Sequence, residues 1–357
     1  MKTSFVSNLA VQNAMRLTIQ KGQVEMMKLN DEVSTGVHAD YGLALGAATS
    51  KSVNISSQLD RLATLKSTNS IVTQRLAGSQ EALKTMQDAA QKSLSSLMAF
   101  RDNSTADLLK IAQDQNAAAM TTFASAANTS LNGEYLFSGI NTDVQPFTDY
   151  TATSAAKASY DAALSTFIAA QPPQVPPLTS VSQFTKAQMT DFIDNTLAPM
   201  YADPAVAGST WTDWSSASSQ NMTSRISANE VIQSSANVNA EGARKFALAS
   251  LISTELLSAG LSDDVRGVVT DKAVAYMGEA VTGLISMQSN LGLSQERVKK
   301  ANTSIEAQTK IVKAHQLDLE GIDTFAASTM LKTLQTQLET SYTLTSRLQQ
   351  LSLINFL

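Results

Sequence analysis

Residues 62–100 read LATLKSTNSIVTQRLAGSQEALKTMQDAAQKSLSSLMAF. Leu62, Asn69, Leu76, Leu83, Ala90 and Leu97 stand seven apart, and Leu65, Val72, Ser79, Met86, Ser93 and Phe100 repeat that row three residues on. Two such rows are the a and d positions of a heptad, so the stretch predicts one long helix with a narrow apolar seam, beginning near Ser50. A second row of the same period, Met277, Leu284, Leu291, Val298, Ile305 and Val312, lies towards the other end of the chain. The blocks 50–100 and 272–315 match in length and period, and we expect them to pair antiparallel as a rod.

Outward from these blocks, both ends of the chain are also helical in pattern. Met15, Ile19, Gly22, Met26, Leu29 and Val33 alternate steps of four and three with no proline between them. This predicts a helix over 5–33, stopped at Ser34-Thr35-Gly36. After Gly321 a last helix, 322–357, carries Leu331, Leu334, Leu338, Leu344, Leu348, Leu351 and Leu353. Those leucines cover most of the helix circumference, and a helix apolar nearly all round needs cover on every side. The narrow seams elsewhere do not obviously supply it, whereas other subunits would. Met15, Ile19, Met26, Leu29 and Val33, with Leu331, Leu334, Leu338, Leu344, Leu348 and Leu351, are therefore the candidate assembly interface. The competing reading is a single-chain bundle with every seam satisfied internally.

The middle differs in composition. Asp102-Asn103-Ser104-Thr105 breaks the long helix and caps another, expected to run to about Asn132 through Leu108, Ile111, Met120 and Phe123. Gly133-Glu134-Tyr135-Leu136-Phe137-Ser138-Gly139 reads as a short strand between two glycines. All seven prolines fall between Pro146 and Pro204, and both tryptophans, Trp211 and Trp214, follow. Helices are expected at 154–170 and 184–200 and short strands within 209–236. Helical pattern resumes near Ala240, stops at Gly260, and restarts at Ser262-Asp263-Asp264. The fold class is thus mainly α: a long antiparallel coiled-coil-like helical rod from the N- and C-terminal parts, with an inserted small mixed α/β central domain. The divisions are 1–33 with 318–357, 34–138 with 240–317, and 139–239.

Composition excludes several functions. Lys and Arg number 26 against 31 Asp and Glu, a net charge of −5 that offers no concentrated positive field for nucleic acid or an anionic membrane. No cysteine is present, which removes thiolate nucleophiles and Cys-metal sites. The only histidines, His38 and His315, lie outside any His-Glu-x-x-His pattern and are expected to be solvent-facing or interface polar groups. Asp263 and Asp264 are better explained by the positive end of a helix than as a catalytic pair. No glycine-rich phosphate loop occurs, so we expect no catalytic residue, cofactor or metal. No apolar run approaches the length of a membrane span, and the first residues lack the apolar core and cleavage site of a signal peptide.

Asn13-Ala14-Met15-Arg16 leads through the first helix into Glu32-Val33-Ser34-Thr35-Gly36, and this resembles the flagellin superfamily. The Gly133–Gly139 stretch followed by Pro146-Phe147, together with Gln337-Leu338-Glu339-Thr340-Ser341-Tyr342 and the closing Leu351–Leu357, is similar to its hook–filament junction members, of hook-associated protein 3 type. The loop Val37-His38-Ala39-Asp40-Tyr41-Gly42 departs from the pattern by lacking paired aspartates after the turn. The resemblance covers about two thirds of the chain and little of 139–239. It implies terminal helices forming an inner axial tube, an outward-facing middle, and export through the flagellar type III apparatus without a cleaved leader. It also implies an extracellular place in the bacterial flagellum. The implied partners are a hook-side hook-associated protein, flagellin or other filament-side subunits, copies of itself in a ring or short tube, and an export chaperone. Flagellin itself, a coiled-coil translocator of a type III secretion system, and an enzyme on a helical frame stand as alternatives.

Overall fold

The protein's structure, a computed structural model, describes residues 8–172, 177–257 and 260–354, with side chains described at 10–172, 177–257, 260–347 and 350. Seven helices of more than ten residues carry the fold. They are α1 (Asn8–Thr35), α2 (Thr49–Asp102), α3 (Ala106–Ala127), α4 (Ala155–Ala170), α5 (Glu241–Leu251), α6 (Asp263–Glu320) and α7 (Thr324–Ile354). Two small hairpins pair antiparallel: β1 (Ser130–Leu131) with β2 (Glu134–Tyr135), and β3 (Thr223–Arg225) with β4 (Val231–Gln233). Backbone packing divides the chain into two units, residues 1–64 with 304–357 and residues 65–303.

In the first unit α1 and α7 pack antiparallel. Gly22 lets them close: a Cβ there would stand 2.8 Å from Leu338 Cδ2. Gln23 Nε2 donates to the Tyr342 hydroxyl at 2.6 Å in the next layer. The turn after α1 needs Gly36, whose φ is 76° and whose N–H caps Glu32 O at 2.8 Å. From there the chain is strapped to the junction between α6 and α7. His38 N donates to Glu320 O at 2.9 Å and Ile322 N to Gly36 O at 3.1 Å. The Glu320 carboxylate is buried and accepts from Ser52 Oγ. Such pairing keeps a buried charge from standing alone.

In the second unit the heptad helices α2 and α6 are antiparallel. Asn69 Nδ2 donates to Asn302 Oδ1 at 2.8 Å, and Gln80 Nε2 donates to Gln288 O at 2.7 Å. The predicted rows are buried as expected from Leu76 through Leu97 on one row, from Val72 through Phe100 on the other, and at Met277, Leu284, Leu291 and Val298 on α6. Thr105 caps α3 as predicted, donor Leu108 N at 3.3 Å, but the helix ends at Ala127, and Ile111 is exposed rather than in the core. The remaining residues up to Tyr135 form the β1–β2 hairpin. Its two turn residues, Asn132 (φ 54°) and Gly133 (φ 84°), both adopt the left-handed conformation that a type I′ turn requires. The expected single strand over 133–139 is therefore only Glu134–Tyr135, paired to the residues just before it. Arg75 holds this hairpin to α2, donating to Glu134 Oε2 at 2.6 Å and Tyr135 O at 3.0 Å.

The central segment has the two expected helices. The second of them, after Lys186–Asp191, widens into a π-helical turn at Phe192–Leu197. Within 209–236 only β3 and β4 are strands, and Trp211–Asp213 is a 3₁₀ turn. Phe147, Trp211 and Trp214 join Phe123 of α3 and Phe246 of α5 in one hydrophobic core, with Phe123 and Phe246 stacked 4.0 Å apart. Where α5 crosses α6, Gly242 and Gly283 meet backbone to backbone: a Cβ on Gly283 would lie 2.5 Å from Gly242 Cα.

Candidate assembly surfaces

On α1, Met15, Ile19, Met26 and Val33 are half-buried and Leu29 is buried; on α7, Leu331 and Leu334 are half-buried and Leu338 is buried. These residues lie along one stripe of each helix, and the two stripes form the α1–α7 seam. Most of the named interface row is thus already engaged within the chain. Leu344 is not; it is 47% exposed. Leu348 and Leu351 lie outside the residues whose side chains are described.

The apolar groups left over sit elsewhere on the same helices. Leu17, Val24 and Met27 stand on the side of α1 away from the seam, and Phe325, Met330 and Leu344 are spread around α7, Phe325 being 82% exposed. Full burial of such side chains stabilises by about 1.5–3 kcal/mol each. The all-round apolar character of α7 is legible in its sequence; that Leu338 faces Gly22 of α1 is not. The missing signal was the identity of the partner stripe: the α1 period and the α7 period complement each other across some 300 residues of chain.

The polar residues of α7 also suit dehydration. Across Thr324–Ile354 only Lys332, Glu339 and Arg347 carry charge. The hydroxyls of Thr329, Thr333, Thr336, Thr340, Thr343 and Thr345 each donate to the carbonyl four residues back, at 2.7–3.1 Å. A threonine bonded in this way presents its methyl group outward, and burying it strands no donor. A groove of about 580 Å³ beside the seam, lined by Thr18, Gly22, Thr333, Leu334, Gln337 and Ser341 among others, has the same character.

The other polar clusters are structural in geometry. His38 Nδ1 lies 3.8 Å from the buried Glu32 carboxylate, and Asp263 pairs with Arg266 at 2.8 Å in the first turn of α6. Tyr150 donates to Glu255 Oε1 at 2.7 Å, and burial, then that bond, pushes its phenol far above the usual range. Burial likewise raises Tyr160 and Tyr201, and it pushes Tyr276 up to about 12 with help from the Asp194 carboxylate. All four therefore keep their protons at neutral pH and are not bases. Among the described residues no three His, Asp or Glu side chains converge as a metal site, and no helix is long and apolar enough to cross a membrane.

Comparison with known proteins bears on these surfaces. The N-terminal helical region of bacterial flagellin matches residues 6–142, and its C-terminal helical region matches residues 274–357. Among solved structures, a Vibrio parahaemolyticus chain described as a flagellar hook-associated protein superposes with a TM-score of 0.53 at 10% identity, over 78% of this chain and 99% of that one. Bacillus cereus FlgL gives a TM-score of 0.49 at 11% identity, over 74% of this chain and 100% of that one. The first of these has the same fold. No curated protein matches the chain by sequence.

Proposed function

Because the chain belongs to the bacterial flagellin family, a family of structural subunits of the extracellular flagellum, we propose that it is the subunit of the hook–filament junction. The family's members assemble with other flagellar subunits. In the proposed role α1 and α7 pack into an axial tube through the apolar groups that their own seam leaves exposed. Residues 34–138 with 240–317 form the surrounding layer, and 139–239 faces outward. Hook-side subunits meet one end and filament-side subunits the other, with copies of this chain closing a ring or short tube. Secretion proceeds by the flagellar type III route with an export chaperone.

The observation that carries the assembly reading is the unpaired apolar surface of Leu17, Val24 and Met27 on α1 and of Phe325, Met330 and Leu344 on α7, a helix with few charges. The junction position, as against the filament, rests on the likeness of Gly133–Gly139, Gln337–Tyr342 and Leu351–Leu357 to junction proteins. A junction subunit joins two different neighbours, so its two end surfaces need not complement each other as a filament subunit's must. Immunogold labelling of isolated flagella tests this. A single band beside the hook is expected, and label along the whole filament would make the chain a filament subunit.

A further inference from the structure

The β1–β2 hairpin carries a reactive pair of residues at its tip. Asn132 is the chain's only asparagine followed by glycine. Asn132 and Gly133 are both exposed and both left-handed, and among the described residues none hydrogen-bonds the Asn132 side-chain amide. Glycine has no Cβ to shield its nitrogen, so the Gly133 amide is the least hindered backbone nucleophile an asparagine side chain can meet. The strands below the tip are two residues each, and a hairpin that short is marginal by itself. Leu136 N closes its base by donating to Thr129 O at 3.0 Å. Its clamp is Arg75 of α2, a buried side chain whose guanidinium donates to Glu134 Oε2 at 2.6 Å and to Tyr135 O at 3.0 Å.

One covalent step follows from this pairing. The Gly133 nitrogen gives its proton to solvent and attacks Cγ of Asn132. The N–Cγ bond forms, the Cγ–Nδ2 bond breaks, and the departing nitrogen takes up a proton and leaves as ammonia. Water then opens the five-membered succinimide at either carbonyl. The product is aspartate or, where the chain now runs through the former side chain, isoaspartate. Closing the ring requires the Gly133 nitrogen to swing over Cγ, a backbone rotation that the Leu131–Glu134 pairing resists. The step therefore goes through local opening of the tip, and the Arg75 clamp sets how often that occurs. Either product puts a new carboxylate two residues from Glu134, the acid Arg75 already pairs, and isoaspartate also lengthens the turn. We propose that Asn132 is a site of spontaneous deamidation gated by the Arg75 clamp, so that negative charge accumulates irreversibly at this tip as the folded chain ages.

The site does not depend on where the chain assembles, and the purified full-length protein tests it. The protein is held at mildly alkaline pH, and peptide mapping by mass spectrometry reads the exchange of NH2 for OH at each asparagine. Asn103, exposed just after α2 and followed by serine, is the comparator. Asn132 is expected to lose its amide severalfold faster than Asn103, and its peptide to become a substrate for isoaspartyl methyltransferase. Arg75→Gln is expected to speed the loss at Asn132 roughly tenfold, the factor that corresponds to losing one hydrogen bond to a charged group, and to leave Asn103 unchanged. Arg75 is buried, so circular dichroism checks that this variant folds. If it does not, Glu134→Gln decides: that acid is exposed, and its loss is expected to speed the reaction about threefold. Another asparagine of the folded chain reacting ahead of Asn132, or Asn132 keeping its amide while the urea-denatured chain loses it, overturns the site. An unchanged rate at Asn132 in folded Arg75→Gln, or in Glu134→Gln where that variant decides, overturns the gating.

Discussion

The unit of residues 1–64 with 304–357 and the unit of residues 65–303 are built from helices of the same heptad period, yet they dispose of their apolar residues differently. The first holds about a third of the chain. Its buried apolar side chains, among the described residues, are Leu29, Ile55, Leu62, Ile305, Val312, Ala327 and Leu338; every other one lies in the second unit. Of the large apolar side chains left exposed, Leu17, Val24, Met27, Tyr41, Leu43, Val53, Ile311, Leu317, Phe325, Met330, Tyr342 and Leu344 belong to the first unit, more than half of the total. The second unit adds α3, α5 and an aromatic core to its helix pair, so each helix is covered on more than one side. A lone helix pair buries one stripe per helix. The difference is one of layers, and it predicts which unit needs neighbours.

The largest test of that contrast is a buried charge. Leu83→Asp, in the fully buried core of the second unit, is expected to abolish that unit's cooperative melting transition. An unpaired carboxylate there costs several kcal/mol, comparable to the whole stability of a domain. Gly283→Val comes next. Its side chain would meet the Gly242 backbone, which cannot step aside, so a loss of about 3 kcal/mol is expected. Differential scanning calorimetry should show the melting temperature falling by roughly 6 °C or more.

Alkaline pH separates the units by a different means. Tyr150, Tyr160, Tyr201 and Tyr276, all in the second unit, keep their protons in the fold well above the unfolded phenol value of about 10. Their stabilising contribution is full below pH 10. It is lost as pH rises from there through the folded values, because the unfolded chain then holds fewer protons than the native one. Melting of the second unit should be flat from pH 7 to 9 and fall steadily from pH 10 to 12. The smallest effects belong to the first unit's surface. Leu344→Asp should change the monomer's stability by less than about 0.5 kcal/mol while preventing incorporation into flagella, as read by co-sedimentation. Gly22→Ala should be nearly neutral in the monomer. The gain in helix propensity, about 1 kcal/mol, offsets the displacement of a single flexible neighbour, Leu338.

The sequence made the long helices legible because a heptad is a local signal: Leu76, Leu83 and Met86 announce their own burial. Thr105, Gly36 and Asp263 marked helix ends for the same reason, each acting within one turn. What stayed hidden depends on distant partners. Nothing near Leu338 says that Gly22 faces it. Asn132-Gly133 is a strong hairpin signal, but it was absorbed into the end of one element and the start of the next. Pro and Trp set 139–239 apart in composition; that Trp211 and Trp214 pack in the same core as Phe123 and Phe246 is a long-range fact no period reveals.

The central claim is that the first unit's terminal helices are stabilised chiefly by neighbours they acquire on assembly. Amide hydrogen exchange on a purified, verified monomer measures this directly. Amides of α1 and α7 should exchange roughly a hundredfold or more faster than those of α2 and α6 within 65–102 and 263–303, and should become protected in isolated flagella. Equal protection of α1 and α7 with the second unit in the monomer would contradict it, showing the α1–α7 seam to be sufficient by itself.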